Sequence, residues 1–281
     1  MTAVFRFAPS PTGLLHLGHA YSALFTWGQA AAAGGRCLLR IEDIDLGRCR
    51  PEFETAIAED LAWLGLSWEA PVRRQSEHMN DYRAALDRLT ALELLYPCFC
   101  TRKEIQAEIA AAPSAPHGPD GPLYPGTCKQ LSQAQRRARL DAGDAFALRL
   151  HMDRAAALTG PLSFTDARAG AVAVDPAGCG DVVLARKDVP TSYHLAVVVD
   201  DGLQEITHVT RGEDLMFATH VHRVLQAVLD LPEPAYHHHR LLLDEEGKRF
   251  AKRNRSVTLQ SLRAEGRSPG DIRRMAGLDD S

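Results

Sequence analysis

The stretch Ala3-Val4-Phe5-Arg6-Phe7-Ala8-Pro9-Ser10-Pro11-Thr12-Gly13-Leu14-Leu15-His16-Leu17-Gly18-His19 decides how the rest of the chain is read. Val4, Phe5 and Phe7 predict a short buried strand. Pro9, Pro11 and Gly13 end it, because proline lacks an amide hydrogen and fixes φ, while glycine admits positive φ. From Leu14 the apolar residues take helical spacing, at Leu17, Tyr21, Leu24 and Phe25. His16 and His19 fall near the start of that helix, with Gly18 between them. A helix N-terminus carries unpaired amides and about half a positive charge, so it attracts anions. Two imidazoles and a glycine that permits close approach predict a phosphate-handling strand–turn–helix.

Working outward, Gly34-Gly35 is a break and Cys37-Leu38-Leu39-Arg40-Ile41 reads as a second strand. Glu42-Asp43-Ile44-Asp45 sits at its carboxyl end, where open α/β sheets bind ligands. Acidic groups there meet an ammonium or pair with Arg40. Helical periodicity over residues 51–66 and 78–95 gives the order strand, helix, strand, helix, which predicts a parallel sheet with helical crossovers. Residues 113–126 are rich in Pro and Gly and interrupt regular structure. Helical charge over 129–145 and strand signals at 145–150, 171–174 and 182–186 read as an insertion of mixed structure. The sheet is expected to resume with a strand over Ser192–Asp201 and another over Ile206–Asp214. At the end of the latter, Arg211 offers a planar donor fork for a carboxylate. A helix over 215–229 and a strand over 236–243 follow. His237, His238 and His239 do not suggest a metal site, since adjacent strand residues face opposite sides. Lys252, in the loop after the last strand, can neutralise charge that develops on a departing pyrophosphate. The expected division is 1–95 and 186–255 as halves of one catalytic domain, 96–185 as an inserted subdomain, and 256–281 as a short helical segment.

Composition sets limits. The chain has 281 residues, 45% hydrophobic and 24% charged, with a net charge of −4. No apolar run approaches the ~18 residues that a membrane span needs. No basic start and apolar core marks a secretory signal. A cytoplasmic protein with no membrane partner is expected. The net charge argues against a general nucleic-acid coat but leaves room for local basic faces, at Arg136, Arg137 and Arg139 and at Lys248, Arg249, Lys252, Arg253 and Arg255. Six cysteines in such a chain predict no disulfides. Cys37 and Cys179 lie among apolar or small residues and are expected to be buried. Cys98, Cys100 and Cys128 supply three thiolates from two turns, and a tetrahedral zinc needs a fourth ligand. Tyr124, His117 and Asp120 are the candidates, and on general chemistry His117 is the better donor.

A family resemblance draws these pieces together. His16-Leu17-Gly18-His19 resembles the "HIGH" signature of class I aminoacyl-tRNA synthetases, and Arg6 to Gly13 resembles their glutamate-specific branch. Arg40 to Asp45 resembles the family's "RIEDTD" segment and Thr207 to Asp214 its "THVIRGED" type. Arg249-Phe250-Ala251-Lys252-Arg253 resembles the "KMSKS" loop, with Arg for its first Lys and Ala for its Ser. Val197 stands where full-length glutamyl enzymes often carry Asn.

The resemblance implies a Rossmann-like α/β fold: a parallel sheet with an inserted zinc-bearing α+β subdomain and a short helical C-terminus. It implies glutamate contacts from Arg6, Ala8, Ser10, Glu42, Tyr193 and Arg211. It places ATP on His16, Gly18, His19 and Lys252, with His16, His19 and Lys252 catalytic and Mg²⁺ entering with the nucleotide. Short members carry a Cys-x-Cys, Tyr-x-x-x-Cys zinc set, which matches Cys98, Cys100, Tyr124 and Cys128 and selects Tyr124 as fourth ligand of one structural Zn²⁺. Those short members activate L-glutamate without tRNA and transfer it to queuosine at the wobble position of tRNA(Asp). That acceptor is expected here because the sequence ends soon after Lys252, without the helical anticodon-binding region of full-length glutamyl enzymes. A monomer is expected. A truncated glutamyl- or glutaminyl-tRNA synthetase would share the first step and use a tRNA 3′ end. A nucleotidylyltransferase would lack the Arg-Ile-Glu-Asp and Arg-Gly-Glu-Asp segments. A non-catalytic zinc-bearing RNA-binding protein would tolerate loss of His16, His19 and Lys252.

Overall fold

The computed structural model describes residues 2–111, 117–118, 121–242 and 257–278. β1 (Val4–Phe7) is buried along its length. It leads through the Pro–Gly turn into α1 (Leu17–Ala32) and pairs in parallel with β2 (Arg36–Ile41). α2 (Pro51–Trp63) begins on Pro51, whose missing amide hydrogen is not needed in a first turn. β3 (Arg73–Arg74) extends the parallel set beside β2, and α3 (Met79–Ala91) closes this half.

The chain then runs through β4 (Leu95–Cys98), α4 (Arg102–Ala111) and the short antiparallel pair β5 (His117–Gly118) and β6 (Gly121–Pro122). α5 (Gln133–Asp141) starts on a reciprocal cap between Ser132 and Gln135. β7 (Ala147–Leu150), α6 (Met152–Thr159), the hairpin β8 (Ser163–Asp166) and β9 (Gly170–Ala173), α7 (Pro176–Cys179) and β10 (Val183–Ala185) follow. β7 pairs antiparallel with both β4 and β10, giving a three-stranded sheet that backs the cysteines.

α8 (Tyr193–Leu203), β11 (His208–Gly212), α9 (Ala218–Val228) and β12 (Ala235–His239) form the second half. β11 pairs in parallel with β12, and β12 in parallel with β8. The Thr207 amide donates to the Val4 carbonyl at 3.0 Å, which seats this set beside β1. Two expectations change here. Of the strand expected over Ser192–Asp201, residues 193–201 lie in the helix α8 instead. Ser192 caps it by accepting from the Leu195 amide, and every residue from Leu195 to Asp201 is buried, so no polar face reveals a helical period. Residues 163–173, expected within the insertion, pair through β8 with β12 of the catalytic sheet.

α10 (Leu259–Ala264) and α11 (Pro269–Met275) lie in the short helical segment expected over 256–281. Leu259, Leu262, Ile272 and Ala276 pack into one core with Leu17, Ala20, Tyr21 and Leu24 of α1 and with Leu242. Among the described residues no helix is long and apolar enough to cross a membrane.

Candidate active site

The start of α1 is built by its two histidines. His16 is the N-cap residue, in extended backbone, and its Nδ1 accepts from the Gly18 amide at 3.1 Å. His19 Nδ1 accepts in return from the His16 amide at 3.2 Å. The rings lie 3.8 Å apart between centroids. Since each Nδ1 is an acceptor, a neutral imidazole carries its proton on Nε2, so each ring turns a donor away from the helix. The capping-box logic of hydroxyl and carboxamide is here carried by two imidazoles. A cavity of about 340 Å³ lies against them, lined by His16, Gly18, His19, Gly212, Asp214 and Leu242 among others. A Cβ on Gly212 would come within 2.5 Å of Asp214 Oδ1 and 2.8 Å of Leu241 Cδ2, so a side chain there would displace both of these side-chain tips at the cavity wall. Thr258 bridges to His16, and the Leu259 amide donates to Leu15 at 2.9 Å. The segments on both sides of residues 243–256 therefore meet beside this histidine pair. Lys252, with the whole Arg249–Arg253 stretch, lies outside the described residues.

An adjoining cavity of about 420 Å³ is lined by Arg6, Ala8, Ser10, Glu42, Tyr193 and Arg211, and also touches His19 and Gly212. All six glutamate-contact residues expected from sequence are thus brought together. Arg211, at the carboxyl end of β11, is buried. Its Nε donates to His238 Nε2 at 3.1 Å. Its Nη1 lies 3.1 Å from His222 Nδ1 and 3.4 Å from the Tyr193 hydroxyl, and its Nη2 donates to Thr219 Oγ1. Burial, then the Arg211 charge, push His238 down to about 4 and His222 well below the imidazole range, so both are neutral acceptors. Among the described residues no carboxylate lies within ion-pair distance of Arg211; Glu213 pairs with Arg168 instead. A buried guanidinium with only neutral partners is costly unless an anion joins it.

Arg6 differs. Its Nε lies 3.1 Å from Asp201 Oδ1 and its Nη1 donates to the Thr210 carbonyl. Arg40, fully buried, donates to Asp201 at 2.8 Å and to Glu42 at 3.1 Å. Asp200 accepts from Arg73, Gln75 and Tyr82. Burial opposes ionisation of Asp201, but Arg6 and Arg40 outweigh it and hold the carboxyl below its usual range. Glu42 goes the other way: desolvation raises it against the pull of Arg40 and Arg6. Of the acidic run after β2, Glu42 faces the cavity, Asp43 accepts from Ser76, and Asp45 pairs with Arg48 and Arg186. Val197 lies in the core of α8, one turn beyond Tyr193.

The three cysteines also converge. The sulfurs of Cys98, Cys100 and Cys128 lie within 4.8 Å of one another, with Cys100 and Cys128 3.3 Å apart. Sulfurs about 2.3 Å from a tetrahedral zinc stand roughly 3.8 Å from each other, so the set fits that ion. The Tyr124 hydroxyl lies 3.4 Å from Cys98 Sγ and 3.6 Å from Cys100 Sγ and accepts from the Cys128 amide at 2.8 Å. The side chain of His117 and the whole of Asp120 lie outside the described residues. Arg149 stacks over the Tyr124 ring at 3.8 Å. The basic trio on α5 is engaged internally: Arg137 with Asp141, Arg139 with Asp144, Arg136 with the Lys129 carbonyl. A cavity of about 940 Å³ runs from Cys98 and Cys100, past Arg149 and Lys187, to Ser10, Glu42 and Tyr193. Sequence reasoning missed Asp201, Thr219, His222, Asp166 and the role of His238. The one available signal was Asp200-Asp201 closing a buried apolar run, since carboxylates there require partners.

The chain matches a model of the catalytic domain of class I tRNA synthetases (E and Q) over residues 2–277. It is 51% identical to a glutamyl-Q tRNA(Asp) synthetase of Rhodobacter capsulatus, over 97% of this chain and 99% of that one. It is 45% identical to a protein of the same name from Symbiobacterium thermophilum, over 98% of this chain and 87% of that one. Its structure is similar to the crystal structure of a glutamate tRNA ligase from Elizabethkingia meningosepticum in complex with its amino acid, with a TM-score of 0.82 and 28% identity. The match covers 99% of this chain and 61% of that ligase.

Proposed function

This chain belongs to the class I tRNA synthetases (E and Q), a family of ligases, and on that premise we propose that it activates L-glutamate with ATP and passes the glutamyl group to queuosine in tRNA(Asp). The observation that carries the amino-acid half is Arg211, a buried cation with neutral partners at the wall of a small cavity. An acidic side chain supplies the missing anion, and Tyr193 stands beside it. Glu42 and Ser10 are assigned the ammonium end, and Arg6 orients through its pair with Asp201. The α-carboxylate then points toward the His16–His19 pair. One of its oxygens attacks the α-phosphorus of ATP and the bond to the β-phosphate bridge breaks, releasing pyrophosphate. No enzyme nucleophile is required; positioning and charge stabilisation supply the rate. The Nε2 donors of His16 and His19 take phosphate oxygens, Gly18 allows close approach, and Lys252 is assigned the departing pyrophosphate. That last assignment is supported by the chain on both sides of residues 243–256 meeting at His16. Mg²⁺ is carried by the ATP phosphates.

In the second step a hydroxyl of the cyclopentenediol of queuosine attacks the glutamyl carbonyl, and AMP leaves. The names and near-full-length match of the relatives support this acceptor. So does the cavity of about 940 Å³, which reaches the amino-acid pocket from the cysteine side and has room for an unstacked base. Zn²⁺ held by Cys98, Cys100, Cys128 and Tyr124 would be structural and fix that wall.

The test uses labelled glutamate, ATP and tRNA(Asp) from cells able or unable to make queuosine. Label is expected only in the queuosine-containing pool and should survive removal of the 3′-terminal adenosine. Equal labelling of both pools, or charging of a tRNA 3′ end, overturns the acceptor. Glutamate-dependent pyrophosphate exchange without RNA tests the first step separately.

A further inference from the structure

We propose that Asp166 is a positioning residue for glutamate selection, acting through His238 to fix the direction of the Arg211 fork. The proposal rests on Arg211 being the substrate's carboxylate partner. Asp166, His238 and Arg211 are all buried and come from three strands, β8, β12 and β11. Asp166 Oδ2 accepts from the His238 amide at 2.9 Å and lies 2.8 Å from His238 Nδ1. Its Oδ1 accepts from the Arg168 and Ala169 amides, each at 2.9 Å. Burial raises its pKa, yet these donors outweigh that and bring it to about 2, so it is a fixed anion.

A fixed anion at Nδ1 forces the proton of His238 onto that nitrogen. Nε2 is then an acceptor, and it takes the Arg211 Nε hydrogen at 3.1 Å. In the other tautomer two N–H groups would face each other. Thr219 Oγ1, 3.0 Å from the same Nε2, accepts from Arg211 Nη2. On the opposite side Arg211 Nη1 faces His222 Nδ1, whose Nε2 lies 3.2 Å from His194 Nδ1. The guanidinium plane is thereby held at Nε and at both terminal nitrogens, and Nη1 also reaches the Tyr193 hydroxyl at the cavity wall. A glutamate carboxylate gains more from a guanidinium fixed in direction than the neutral carboxamide of glutamine does, so the selectivity depends on a carboxylate that does not line the pocket.

The experiment measures pyrophosphate exchange with the full chain, for glutamate and for glutamine, in Asp166→Asn, His238→Leu, His238→Gln and Arg211→Ala, with thermal unfolding of each. His238→Leu should raise the glutamate KM by about tenfold or more and narrow glutamate-over-glutamine discrimination by a similar factor, with the ATP KM unchanged. Asp166→Asn should do the same. His238→Gln, which returns an acceptor near the Nε2 position, should recover most of both. His238→Leu that folds normally and keeps the parent KM and discrimination, while Arg211→Ala loses both, overturns the proposal. Arg211→Ala with the parent glutamate KM would instead remove the site assignment beneath it.

Discussion

Two arginines that look equivalent in sequence have different work in the fold. Arg211 has neutral partners; Arg6 shares Asp201 with Arg40. Arg211→Ala should therefore cost about 2–5 kcal/mol of glutamate binding, read in the exchange assay, with little loss of stability. Arg6→Ala removes one cation from a buried ion-pair network and should cost about 3–5 kcal/mol of stability, read by denaturant unfolding. If both variants unfold at the same denaturant concentration as the parent, the distinction between them is wrong. The cavity-lining residues His16, His19, Glu42 and Arg211 were visible as candidates in the sequence because each sits at a strand end or helix start. The ring of partners around Arg211 was not, because Asp166, His222 and His238 lie far apart in the chain and acquire meaning only through tertiary pairing.

At the scale of elements, two packing arrangements make predictions. The cysteine cluster, which could hold a metal, joins the end of β4 to the turn around Cys128. A Cys98→Ser/Cys100→Ser double variant should lose its zinc in elemental analysis, and Tyr124→Phe should weaken binding less, because water can replace one oxygen ligand. Full metal content in the double variant would exclude the site. The second arrangement is the docking of α10 on α2. Asp60 is fully buried there, neither carboxyl oxygen has a hydrogen-bond partner among the described residues, and Arg263 Nη2 stays 3.7 Å away. Burial raises its pKa to about 6 against the pull of Arg263. The folded state thus holds the proton more tightly than the unfolded chain, whose value is about 3.9. This contribution to stability is fully present below pH ~4 and is lost as pH rises through about 6. Asp60→Asn should raise the Tm at pH 7.5 and change it little at pH 4.5. The same Tm difference at both pH values would refute that account. Elements themselves were legible where one face stayed polar, as in α3. α8 was not, because Leu195–Asp201 are all buried and the five-residue apolar run Leu195–Val199 fits either period.

For the whole molecule, alternation of strand and helix in the first half correctly indicated a parallel sheet. What alternation does not carry is the return of a distant hairpin to the sheet edge. β8 joins β12 after an excursion through β4 and β7, and that placement brings Asp166 behind His238. The segment after residue 256 closes the other side, since Leu259 and Ile272 share a core with α1.

The uncompensated charge of Arg211 has one more consequence, in how the molecule answers heat. A fold that carries a buried cation among neutral imidazoles and hydroxyls gains stability from any anion that joins it, and on the proposed function that anion is the glutamate side chain. Glutamate should act as a thermal ligand as well as a reactant. At a hundred times its dissociation constant a ligand that binds only the folded state adds about 2.7 kcal/mol. Differential scanning fluorimetry should show a rise in Tm with glutamate, a weaker one with glutamine, and none with glutamate in Arg211→Ala. A response to both amino acids of the same size would mean that the side-chain charge is read elsewhere.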